Sequence, residues 1–119
     1  MMKNYQWIIN KAEDYVEEHL DQKITMDDIA SFVNLSPYHF HRIFSKNSQE
    51  TVNQFITRIK MERSAIFLVI RKDISITEIA QQYGYSEASS YNKAFKKHFK
   101  MSPTQFRKQQ DKTSKKESV

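Results

Sequence analysis

The sequence predicts an all-α protein of seven helices, built as two helix-turn-helix lobes joined by a long linker helix. Three observations lead there. One Gly and two Pro in 119 residues leave few places for hairpin turns. Apolar residues recur at helical spacing along the whole chain, with no sustained alternation of the strand type. The chain also repeats itself. Ile24-Thr25-Met26-Asp27-Asp28-Ile29-Ala30 returns fifty positions later as Ile74-Ser75-Ile76-Thr77-Glu78-Ile79-Ala80. Phe44, Lys46, Gln54 and Phe55 return fifty-one positions later as Phe95, Lys97, Gln105 and Phe106. A duplication that keeps its apolar skeleton and changes its exposed residues is one small unit used twice.

Each helix has its own signal. Tyr5, Ile8, Ile9, Ala12, Tyr15, Val16 and Leu20 form one stripe, predicting a first helix over about 4–20. Thr25 caps a short second helix that reaches Val33. Ser36-Pro37 starts the third, to about Asn47, because serine accepts an orphan N–H and proline sits where no donor is needed. Thr51 and Gln54 make a capping box for a long helix over about 51–71, with Val52, Phe55, Ile56, Ile59, Ile66 and Val69 on its buried side. Ser75 and Glu78 make another box for a helix to Tyr83, and Gly84 follows where a left-handed terminus is needed. Ser86 opens the sixth helix, to about Phe99. Ser102-Pro103 with Gln105 opens a short last one. The predicted organisation is a lobe over 1–50, the linker helix over 51–71, a lobe over 72–110 and a disordered basic tail over 111–119.

Ala30, Asn34 and Phe40 have the spacing of a helix-turn-helix. Small Ala lets two helices cross closely, Asn tolerates a left-handed turn, and Phe anchors the second helix. Ala80, Gly84 and Tyr91 repeat the pattern with one extra turn residue, which accounts for the change of offset from fifty to fifty-one.

Composition narrows the function. There is no cysteine, hence no disulfide framework, thiolate metal site or thiol nucleophile. The longest apolar run, Ala65–Ile70, is six residues, far below the roughly 20 that span a bilayer. No signal-peptide layout opens the chain. A cytoplasmic protein with no membrane partner is expected. Net charge is +5, unevenly spread: residues 1–30 carry three Lys against seven acids, and residues 91–119 carry nine Lys and Arg against two. That asymmetry suggests a surface for a polyanion, although a solvated face with a basic tail gives the same count.

The exposed faces of the third and sixth helices hold the candidate contacts. With Phe40, Ile43 and Phe44 inward, Tyr38 and Arg42 point out, flanked by His39, His41 and Lys46, with Ser36 at the helix start. With Tyr91, Ala94 and Phe95 inward, Ser89, Lys93 and Lys96 point out, flanked by Asn92 and Lys97. Donors, aromatics and cations of this kind read base edges and phosphates. Lys96 and Lys97 also suit plain phosphate contact or solvation, and Tyr38 also suits covering the turn. His39 and His41 lie two apart, on different sides of a helix, so no metal site is expected; His19 and His98 read as core-edge residues. Trp7 reads as edge packing. No phosphate loop, serine elbow or paired carboxylates in an apolar setting point to an enzyme, and no cofactor is expected. A linker of about 30 Å against a groove repeat of about 34 Å suits two recognition helices on one side of a duplex.

Ile79-Ala80-Gln81-Gln82-Tyr83-Gly84-Tyr85-Ser86, then Tyr91-Asn92-Lys93-Ala94-Phe95-Lys96-Lys97-His98-Phe99 and Ser102-Pro103-Thr104-Gln105-Phe106-Arg107, resemble the signature of the AraC/XylS family of bacterial transcription regulators, in its DNA-binding domain. The resemblance covers about residues 5–109. It implies double-stranded DNA as partner, binding as monomer or dimer to asymmetric promoter sites, and recruitment of RNA polymerase; a monomer is expected for this chain. Carried over by position, Tyr38, His41 and Arg42 would read bases in the first lobe, and Ala88, Ser89, Asn92 and Lys93 in the second. The family usually has Gly where Lys100 stands and often Gly where Gln49 stands, so those turns are expected to be strained. Many relatives add a sensor domain, for which the helices leave no room here. Either the chain acts alone, as short MarA/SoxS-like members do, or it belongs to a longer regulator. An all-helical protein-interaction module using the same faces on an acidic partner is the competing reading.

Overall fold

The computed structural model describes residues 4–117, and the side chains of 4–111. Seven helices follow in order: α1 (Gln6–Glu18), α2 (Met26–Phe32), α3 (Pro37–Asn47), α4 (Val52–Ile70), α5 (Ile76–Gln82), α6 (Ala88–Phe99) and α7 (Pro103–Glu117). No strand occurs among the described residues. The chain divides into two compact lobes, Met1–Lys60 and Met61–Val119. The division falls within α4, so each half of that helix belongs to a different lobe.

Most helix starts are chemically marked. Thr25 and Asp28 close a reciprocal capping box on α2. Thr51 and Gln54 do the same for α4, and Ser102 and Gln105 for α7. Ser75 accepts from the Glu78 amide at the start of α5. Each such cap stabilises its helix by about 1 kcal/mol. The start of α6 departs from expectation. Its N-cap is Glu87, not Ser86, and no side chain caps it. Ser86 is the extra turn residue, so the cap position moves one place along.

The first lobe packs α1, α2, α3 and the start of α4 around Ile8, Ala12, Val16, Ile29, Phe40, Ile43, Phe44, Phe55 and Ile59. Phe44 meets Phe55 edge-on at 5.2 Å. The second lobe buries Met61, Leu68, Ile79, Ala80, Tyr91 and Phe95. Around them Phe95, Phe99 and Phe106 pack ring against ring at 4.6 to 5.4 Å. Residues 21–35 and 71–85 show the same pattern of buried, half-buried and exposed positions, residue for residue. The sequence duplication is therefore a duplication of packing.

The two tight turns are also alike. Ala30 and Ala80 are fully buried. The Leu35 amide donates to Ala30 O at 2.9 Å, and the Tyr85 amide to Ala80 O at 3.0 Å. Asn34 (φ 61°) and Gly84 (φ 84°) supply the left-handed residue each turn requires.

Three expectations need correction. Ile66 is 52% exposed rather than buried. It continues the stripe set by Val52, Phe55, Ile56 and Ile59, but the second half of α4 buries Met61, Ser64, Ala65 and Leu68 instead. His98 is exposed, on the rim of the Phe99 ring, whereas His19 is half-buried and stacked on Tyr15 at 4.0 Å. Finally, α7 is not short. It runs through the region expected to be disordered, as far as Glu117. The lysines and Glu117 there are good helix formers, no Gly or Pro stands among residues 111–117 to stop the helix, and Lys72 pairs with Asp111. Residues 118–119 of that expected tail lie outside the described residues.

Two long-range contacts tie down the loop that enters each helix-turn-helix. Lys60, buried at 6% exposure, donates to Gln22 O after α1. Arg107 on α7 donates to Leu68 O in the last turn of α4 and to Arg71 O and Ile74 O after it. In each lobe, the helix that follows the recognition helix sends a cation to carbonyls ahead of the motif. Burial pushes the Lys60 ammonium pKa down, with Asp21 partly opposing it.

Candidate nucleic-acid interface

Recognition helix α3 is oriented by its anchors. Phe40, Ile43 and Phe44 are buried, and Ser36 accepts from the His39 amide at 3.1 Å. That leaves Tyr38, His39, His41, Arg42 and Lys46 exposed, Tyr38 at 76%. In the second lobe Tyr91 and Phe95 are fully buried, and they leave Ser89, Asn92, Lys93, Lys96 and Lys97 exposed on α6. Each predicted set thus shares the open side of one helix. Two members are less free than the others. The Ser36 hydroxyl serves its helix cap, and Ala88 is half-buried. Ser89 Oγ donates to Glu87 Oε2 at 3.4 Å.

Several cations off these faces are held in ion pairs, whereas those on the two faces are not. Arg58 holds Glu50 bidentately, Arg71 holds Asp73, and Lys72 holds Asp111. The Arg71 hydrogen bond keeps the Asp73 carboxyl at a pKa of about 2. Those cations are engaged in the fold. Arg42, Lys46, Lys93, Lys96 and Lys97 form no ion pair among the described residues. Uncompensated cations on a helix whose other side is core give a surface matched to phosphate.

His39 and His41, two positions apart on α3, sit about 200° apart around the helix. Among the described residues, no group of three His, Cys, Asp or Glu could hold a metal ion. No described helix is long and apolar enough to cross a membrane. One residue of the site escaped the sequence reading. Tyr5, assigned to the apolar stripe of α1, lines a cleft with His39, Arg42, Ile43, Lys46 and Asn47 of α3. No local pattern could have shown this, because the cleft exists only where the two helices meet.

A family of helix-turn-helix domains matches residues 29–109, which include both motifs. The probable transcription factor PqrA of Proteus vulgaris is 31% identical over 102 residues, covering 84% of this chain and 83% of PqrA. The chain belongs to the AraC/XylS family of helix-turn-helix transcription regulators. Solved AraC/XylS-type domains share the architecture. The C-terminal domain of AraT, a response regulator from Geobacillus stearothermophilus, has TM-score 0.78 at 31% identity, over 86% of this chain and 84% of that one. The DNA-binding domain of AdpA, solved with a target DNA, has the same fold at TM-score 0.71 and 20% identity, covering 83% of this chain and 88% of that one. The chain spans about a third of the length of the first curated AraC/XylS relatives it matches.

Proposed function

We propose that this chain binds double-stranded DNA sequence-specifically and regulates transcription, with α3 and α6 each entering a major-groove segment of one duplex. One observation supports the reading: equivalent exposed faces of both helices present donors together with cations that form no ion pair among the described residues. Arg42, Asn92 and Lys93 are the base readers of choice, with His41, Ser89 and Ala88 beside them; Tyr38, His39, Lys46, Lys96 and Lys97 hold backbone or flank the groove. We read the chain as working in the cytoplasm, acting as a monomer and meeting RNA polymerase as second partner, a reading the family relationship supports; catalysis has no part in it.

Titration of a random duplex pool at rising salt, followed by sequencing of the bound fraction, tests it. Three lysines on phosphates, Lys46, Lys96 and Lys97, give a slope of about −2.7 in log K against log salt. Enrichment of one asymmetric site is expected. A chain with no duplex affinity at low salt would instead fit an adaptor for acidic proteins.

A further inference from the structure

The cleft between α1 and α3 is a built site of about 200 Å³. Tyr5, the residue before the first turn of α1, forms one wall. His39, Arg42 and Lys46, spaced three and four apart on α3, form the other, with Ile43 and Asn47 at its base. Asn47 Nδ2 is already committed, donating to Ile43 O at 2.7 Å. No carboxylate lines the cleft. Three nitrogen-bearing side chains and a phenol therefore converge on a pocket at the edge of the recognition face. The other lobe does not reproduce it. Fifty-one positions on, His39, Arg42 and Lys46 become Ser90, Lys93 and Lys97.

We propose that this cleft seats one backbone phosphate of the bound duplex, and that His39 holds the phosphate as imidazolium. The proposal rests on the DNA-binding reading above and adds to it a site and a pH dependence. An imidazolium donates to the phosphate and neutralises it, whereas a neutral imidazole offers at most one N–H and no charge. Imidazole changes charge between about pH 5 and 8. Facing His39 are Arg42 and Lys46 on its own helix and Tyr5 from α1. The arriving phosphate, an anion within hydrogen-bond reach, favours the charged ring over the neutral one. Binding is thus coupled to proton uptake. Linkage fixes the sign: affinity is highest where His39 is protonated and falls as pH rises. The other histidines lie elsewhere, His19 stacked on Tyr15, His41 on another side of α3 and His98 on α6.

The experiment measures duplex affinity of the full chain by fluorescence anisotropy from about pH 5.5 to 8.5. The duplex is one selected from a random pool. The wild-type chain is expected to lose about tenfold in affinity across that range, with a salt slope steeper by about 0.9 at the acid end. H39Q should bind like wild type at the alkaline end and show no pH dependence. H39R should keep tight binding throughout, and H98Q should retain the wild-type profile. Replacing phosphates one at a time by neutral methylphosphonate should find a single position that abolishes the pH dependence. Steep salt dependence with flat pH dependence, or an H39Q variant that keeps the wild-type profile, overturns the seat and leaves DNA binding intact. Absence of duplex affinity at every pH overturns both.

Discussion

The Tyr91 hydroxyl donates a 2.8 Å hydrogen bond to Ser64 Oγ, and Ser64 passes the chain on to Met61 O at 3.0 Å. Both side chains are fully buried. This relay joins the recognition helix of the second lobe to the second half of α4 across 27 residues of sequence. Y91F removes one bond and leaves Ser64 satisfied by Met61 O, so a loss of about 0.5–1.5 kcal/mol is expected. S64A strands a buried phenol and should cost about 1–3 kcal/mol. The double variant should cost less than the sum, as measured by urea unfolding. Strict additivity would show that the bond contributes nothing.

Burial pushes the Tyr91 pKa up to about 12, with Ser64 pulling slightly the other way. The folded state therefore retains the phenolic proton at pH values where the unfolded chain releases it. Stability from this group is complete below about pH 10 and is lost as pH rises toward 12. Urea midpoints measured across that window should fall for the wild type more steeply than for Y91F. Parallel curves would remove Tyr91 from the account.

Lys100 ends α6 in the left-handed region at φ 65°. A residue with a Cβ is held there at a cost of about 1–2 kcal/mol, part of which glycine returns through its greater unfolded freedom. K100G should raise stability by about 0.5–1 kcal/mol, whereas G84A, at φ 84°, should lower it by about 1–2 kcal/mol. Thermal unfolding reads both, and a destabilised K100G would refute the strain.

Arg107 satisfies Leu68 O in the last turn of α4 and Arg71 O and Ile74 O in the loop between α4 and α5. R107M keeps most of the aliphatic stem and removes the charge-assisted bonds, so a loss of about 2–3 kcal/mol is expected. Hydrogen exchange should speed up first around residues 71–75. Uniform acceleration across the second lobe would mean that Arg107 supports the core rather than the loop.

On DNA, R42A should cost about 1–3 kcal/mol and relax preference at one base pair, as read by repeating the duplex selection. K97A should weaken all sequences about equally and reduce the salt slope by about 0.9. If R42A behaves like K97A, the groove-facing side of α3 is misassigned.

Local chemistry made much of this protein legible. Helix number, nearly every cap, the left-handed residues at Asn34 and Gly84 and the open sides of α3 and α6 all follow from neighbours within four residues of one another. The duplication then served as an internal check, since an error in one lobe would have broken the match with the other. The failures have a different character. Ser86 does not cap α6, because an inserted turn residue shifts the cap without altering the local pattern. Ile66 is exposed because a helix shared by two lobes changes its buried stripe partway, whereas periodicity assumes a single stripe.

Side-chain alternation and capping act over one or two helical turns, and the chain order alone encodes them. The Lys60 tether to Gln22 O spans 38 residues and the Arg107 clamp up to 39. The Tyr5–His39 cleft likewise depends on helices brought together by the core. Such contacts form only after chain closure has been offset by burial of apolar surface elsewhere. Their partners are therefore set by packing, which no short window of sequence contains.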